Sequence, residues 1–124
     1  MVTGIVGPVC SGATIAQAES VSIPAGVVTL SVSASAPAIS NMETGTDLVF
    51  RSAASDAYQG VALAELAMSK GIKDIAVSYA NDDYNAGIAE VFAKSFAAMG
   101  GNITSNEAHA VSYTHLTLPT ICSV

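Results

Sequence analysis

Short β-branched apolar runs alternate along the chain with longer stretches in which apolar positions recur every three or four residues, and these two periods predict alternating strands and helices. The runs are Val2 to Gly7, Val27 to Ser33, Leu48 to Arg51, Asp74 to Ala80 and Ile103 to Ala108. A short helix is expected from Gly12 to Ser20, with Pro24 and Gly26 punctuating the chain before the second run. Ala34-Ser35-Ala36-Pro37 reads as a small-residue loop, followed by a polar excursion from Asn41 to Asp47.

Two stretches carry a full helical signature. In the first, Ser55 or Asp56 is placed as N-cap; Ala57, Val61, Ala64 and Met68, with Leu63, Leu66 and Ala67, form a broad apolar face, and Lys70-Gly71 ends it. In the second, the loop Asn81-Asp82-Asp83-Tyr84 leads into a stripe of Ile88, Val91, Phe92, Phe96 and Met99. Glu90 and Lys94 are spaced as an i, i+4 pair on the opposite side, and Gly100-Gly101 is the stop. Strands separated by single helices imply parallel pairing and Rossmann-like sheets of α/β class, whose ligands sit beyond the carboxyl ends of the strands.

Composition sharpens this picture. The 124 residues hold 4 Lys+Arg against 10 Asp+Glu, a formal charge of −6, which excludes a basic nucleic-acid binder. Hydrophobic residues make up 51% and charged ones 11%, the opposite of a disordered chain. Ala and Val dominate and Trp is absent, so the small side chains suit close helix–sheet packing better than a self-sufficient small core, and a piece of something larger is expected. Gly, Pro, Ser and Thr interrupt the uncharged stretches, so none offers the unbroken apolar run of a spanning helix. No signal peptide is read at the start, where the first basic residue is Arg51.

Candidate chemistry gathers at the first strand-to-helix loop. Gly7-Pro8-Val9-Cys10-Ser11-Gly12-Ala13-Thr14 has the glycine separation of a phosphate-cradling loop, but Ala13 stands where that motif requires Lys, so a nucleotidase reading is weak. What remains is free backbone N–H groups at a helix start plus the Ser11 hydroxyl, suited to a small anion such as a carboxylate, or else a plain N-cap. No G-x-S-x-G elbow, dinucleotide fingerprint or metal-ligand spacing is present, and Asp82-Asp83 reads as a pair of caps before a helix. His109 lies far from Cys10 and Ser11 in sequence, which disfavours a nucleophile–histidine pair. No cofactor, metal or covalent chemistry is expected.

Four segments in order, Val2 to Thr14, Leu30 to Pro37, Val49 to Ser52 with Ser55 to Gly60, and Asn81 to Tyr84 with Gly87, resemble the branched-chain amino-acid-binding proteins, the type I periplasmic binding proteins of ABC transporters. The resemblance implies residues 1–53 as the later part of a first lobe, 54–110 as the start of a second, and a ligand in the cleft between them. It implies a ligand set of Ser11 for the carboxylate, Ser33, Ala34 and Ser35 for the ammonium and the rest of the carboxylate shell, and Tyr84 as an aromatic facing the cleft. Asn85 departs from the glycine that commonly follows this tyrosine, and the family's ammonium-binding acid would lie beyond residue 109. The expected partners are a small amino-acid-like ligand and a membrane permease, with no nucleic acid, and the expected location is periplasmic or extracellular.

Two other readings remain. One is an extracellular ligand-sensing receptor domain of the same fold. The other is an α/β hydrolase-type enzyme with Ser11 or Cys10 as nucleophile. From Val111 the texture changes: Val111 to Thr120 resembles the translation of a transposon-type sequencing adapter, and residues 111–124 are expected to be a non-native tail. Pairing of Cys10 with Cys122 is discounted for that reason.

Overall fold

A computed structural model describes residues 2–110 of the chain. Its first half is a parallel sheet of three strands in the order β1 (Gly4–Val6), β2 (Val28–Ser31), β3 (Val49–Arg51), with Val6 opposite Leu30 and Leu30 opposite Phe50. Because both crossovers step the same way across the sheet and such crossovers are right-handed, their helices share one face. Residues from both crossovers accordingly meet in one core, where Ala18, Ala34, Ala36, Ile39 and Val49 are all buried.

β2 inverts the usual alternation. Thr29 and Ser31 point into the protein at 0% exposure, whereas Val28 and Leu30, with neighbouring Val32, stay exposed. The buried side is satisfied by hydroxyl bonding. Ser22 Oγ and Thr29 Oγ1 lie 2.6 Å apart, Ser31 Oγ donates to the Pro8 carbonyl at 2.6 Å, and the Ala34 N–H donates to Ser31 Oγ at 3.2 Å. Thr14 Oγ1 donates to the Cys10 carbonyl at 3.0 Å and stands 3.4 Å from Ser31 Oγ. These partners offset the cost of removing hydroxyls from water. The open side carries Val6, Val28, Leu30 and Phe50, and among the described residues no helix covers it.

The first crossover is longer than expected. α1 (Ser11–Gln17) runs on through a π-helical turn (Ala18–Ser22) into α2 (Ile23–Ala25), where Pro24 is accommodated in the first turn and Gly26, at φ 65°, provides the left-handed cap. The expected helix end at Ser20 is therefore corrected. The stretch from Asn41 to Asp47, read as a polar excursion, belongs to a helix, α3 (Pro37–Thr46). Its weak intrinsic propensity is overridden by tertiary packing: Ile39 is fully buried against Val49, and Arg51 donates to the Ala36 carbonyl at 3.0 Å and to Ser40 Oγ.

The second half is a parallel pair, β4 (Asp74–Ala80) and β5 (Asn102–His109), with a register irregularity at Ile75/Ala76. Helices α4 (Ala57–Ser69) and α5 (Asp83–Ala98) pack on each other, and α5 packs on that pair. The cap of α4 is shared. Asp56 holds the N-cap position, while the Ser55 hydroxyl accepts the Ala57 N–H at 3.3 Å. The apolar face expected of α4 is only partly used: Gly60 and Ala64 are buried, whereas Leu63 and Leu66 are exposed at 42% and 55%. In α5, Phe96 is fully buried and stacks on Phe92 with centroids 5.6 Å apart, and the Glu90–Lys94 ion pair closes at 2.6 Å.

Candidate functional site

The carboxyl ends of β1, β2 and β4 converge on a cleft of about 780 Å³. Ser11, Gly12 and Cys10 enter it from the β1–α1 loop, Ser33 and Ser35 from the loop after β2, and Asn81, Asp82, Asp83 and Tyr84 from the loop into α5. Gly7, at φ 117°, turns the chain out of β1 into the first of these loops, a conformation that favours glycine. Its N–H is anchored to the Leu30 carbonyl at 2.8 Å, which ties the β1 loop to the β2 end.

Ser11 is 4% exposed, and its Oγ accepts the Ala36 N–H at 3.2 Å. Accepting that bond orients the hydroxyl and leaves its own proton to donate into the cleft. Ser33 Oγ donates to the Val9 carbonyl at 2.9 Å and so links the two loops of the first half. The Ser35 carbonyl accepts the Asp56 N–H at 3.0 Å, which joins this loop to the start of α4. Ala34 is the exception among the candidate residues: its side chain is 1% exposed in the core behind the cleft and its N–H is committed to Ser31. Tyr84, 38% exposed, faces the serine loops from the other half.

Asp82 caps α5 with both carboxylate oxygens, accepting the Asn85 N–H at 2.8 Å and Asn85 Nδ2 at 2.7 Å. The Asn85 backbone bond, reinforced by the Asn85 side chain, holds this carboxyl below its ordinary value of 3.8. Asn85 thus has a local role in the turn at the position where the resemblance expects glycine. Asp83 Oδ2 reaches across to Gly12, so close that a Cβ on Gly12 would lie 2.6 Å from it. Val9, Cys10, Asn81, Asp83 and Ala86 also line the cleft and were not among the expected ligand set. Asn81 and Asp83 were within reach of sequence reasoning, since they sit in the same loop as Tyr84.

Among the described residues no group of three His, Cys, Asp or Glu is placed to hold a metal ion, and Cys10 is a free, exposed thiol. Cys122 and His115 lie outside the described residues. The histidine at 109 ends β5, where its carbonyl accepts the Asn81 N–H at 2.9 Å. No helix among the described residues is long and apolar enough to cross a membrane.

The model of the receptor family ligand binding region matches residues 1–118. The chain belongs to that family. Nothing among curated proteins matches it. Among solved structures it is similar to an ABC transporter substrate-binding protein from Desulfitobacterium hafniense, with 26% identity over 86% of this chain and 31% of that one and a TM-score of 0.67. A second Desulfitobacterium hafniense structure of such a protein, in complex with Leu, matches at 24% identity over 98% of this chain and 36% of that one, with a TM-score of 0.66. A solute-binding protein of an ABC transporter from Rhodopseudomonas palustris BisB5, in complex with 3,4-dihydroxy benzoic acid, matches at 20% identity over 87% and 29%, with a TM-score of 0.72. The fold is thus that of the two-lobe periplasmic binding proteins, and the chain spans about a third of the length of these relatives. The family and these neighbours are binding proteins and receptors.

Proposed function

We propose that the chain is part of the substrate-binding component of an ABC transporter, a periplasmic or extracellular protein that takes up an amino acid of the branched-chain type or a related small carboxylate. The observation that carries this reading is the cleft at the carboxyl ends of the strands into which both halves send polar groups: the serine hydroxyls from one, Asn81 to Tyr84 from the other. Residues 1–53 would act as one lobe and 54–110 as the start of the second, with the 111–124 tail outside the functional unit. Ser11 donates its free proton to the ligand carboxylate, Ser35 completes that shell from the β2 loop, Ser33 and Ala34, whose donors are engaged within the protein, offer oxygen acceptors to the ammonium, and Tyr84 closes over the ligand. Binding free energy comes from charge-assisted hydrogen bonds in a cleft that excludes water on closing, and the permease is the partner that receives the ligand. No bond of the ligand is made or broken.

The family description favours one second reading, a receptor domain that senses the same class of ligand. Calorimetry on the full-length protein that contains this chain, with a panel of L-leucine, other amino acids and 3,4-dihydroxybenzoate, tests the binding common to both. We expect heat with at least one amino acid, abolished or weakened in Ser11→Ala. Absence of binding across the panel overturns the reading. Where binding is present, capture of a permease complex in vesicles separates transport from sensing.

A further inference from the structure

α5 of the second half packs against α1 and α3 of the first. Asp83 and Gly87, one turn apart on this helix, meet α1 and α3 across the halves, and Val91, one turn further, meets α4 within the second half. The middle contact has no room for a side chain: a Cβ on Gly87 would stand 2.9 Å from Pro37 Cδ and 3.6 Å from its Cγ. Pro37 is the first residue of α3 and its ring is fixed to the backbone, so unlike a flexible side-chain tip it has no rotamer by which to withdraw. Gly87 also lies within the sixteen-residue helix α5, where glycine costs stability relative to alanine. Local helix physics therefore argues against glycine here, and the contact between the halves argues for it.

We propose that Gly87 is a closure-permitting position: its missing side chain lets the Pro37 ring seat on α5, and that seat sets how closely the halves approach across the cleft. This rests on the reading of the cleft as a ligand site between two lobes. The Gly12–Asp83 approach at the cleft mouth depends on the same seat, because Asp83 stands one turn before Gly87 on the same helix. A residue too large at this position holds the halves apart without touching ligand. Affinity then falls by the fraction of molecules that can still close, about tenfold if that fraction drops to about a tenth.

The test compares the chain with Gly87→Ala and with Gly87→Ala/Pro37→Ala, reading three quantities on each. Proton NMR contacts between Gly12 and Asp83 report closure, L-leucine titration by calorimetry reports binding, and Tm reports folding. The proposal expects Gly87→Ala to lose the Gly12–Asp83 contact and to bind L-leucine about tenfold more weakly while Tm stays level or rises. The double variant, in which the obstructing ring is gone, regains both. Retention of the contact and of affinity in Gly87→Ala, with only a rise in Tm, overturns the proposal, because Gly87 is then an ordinary helix residue. Loss in both variants without rescue also overturns it. If the unmodified chain binds no L-leucine, that failure falls on the ligand reading, and the NMR contact with its rescue still decides this one.

Discussion

Replacing Gly60 by alanine sets two opposed effects against each other at the contact between α4 and α5. Alanine at a helix-interior site gains about 1 kcal/mol over glycine from backbone entropy. Against that, the new Cβ would stand 2.8 Å from Val91 Cγ1, 2.9 Å from Val91 Cβ and 3.0 Å from the Phe92 nitrogen. The last two atoms belong to or sit directly on the α5 backbone, and a β-branched residue in a helix has one strongly favoured rotamer. Neither contact can be relieved by a side-chain turn, so the helices must move apart at this contact. Overpacking of this kind costs about 1–3 kcal/mol. That cost outweighs the entropy gain, and we expect Gly60→Ala to be destabilised by about 1 kcal/mol net. Urea denaturation monitored by circular dichroism measures the midpoint, with Ala62→Gly on the exposed side of α4 as a control for helix propensity alone. A midpoint for Gly60→Ala equal to or above that of the parent chain would refute the reasoning, since it would mean that the interface yields freely.

Two further expectations concern single polar groups. Asp82→Ala removes the N-cap of α5 and is expected to cost about 1 kcal/mol at neutral pH. Because the Asp82 carboxyl is held below 3.8 by the Asn85 bonds, its contribution is present above the unfolded-state value and disappears as pH falls through the lowered folded value, so parent and variant converge in strong acid. Denaturation curves across acid pH check this, and a gap that persists in strong acid rejects it. Ser31→Ala leaves the Pro8 carbonyl and the Ala34 N–H without their buried partner and is expected to cost about 1–3 kcal/mol, seen as a lower Tm. An unchanged Tm would show that the loops re-form their bonds elsewhere.

The strands and the two long helices were legible because their signals are local: β4 was bounded at Asp74 and Ala80 by its own pattern, and α5 by the acidic cap and the glycine stop. α3 was hidden because Ser40, Asn41, Thr44 and Gly45 are poor helix formers and the packing that decides it, Ile39 against Val49, spans separate elements. The continuation past Ser20 was hidden by Pro24, which reads as a breaker but serves as the opening residue of a new turn. For the site, Ser11, Ser33, Ser35 and Tyr84 could be named through the resemblance, and the cleft does bring them together. That Ala34 is a core residue, that Asp83 lies over Gly12, and that Gly87 seats Pro37 follow from how separate helices meet, which no single stretch of sequence encodes.

The hydroxyl layer beneath the first crossover has a consequence for precision. A helix resting on aliphatic side chains can slide by a fraction of a turn at little cost, since dispersion attraction forfeited on one side is regained on the other. A helix fastened through Thr14 to Ser31 and through Gln17 and Ser22 to Thr29 cannot, because hydrogen bonds weaken steeply with angle and length. The layer works as a set of locating pins: it gives up some burial of apolar surface to fix the first turn of α1, and with it the Ser11 hydroxyl, at one address on the sheet.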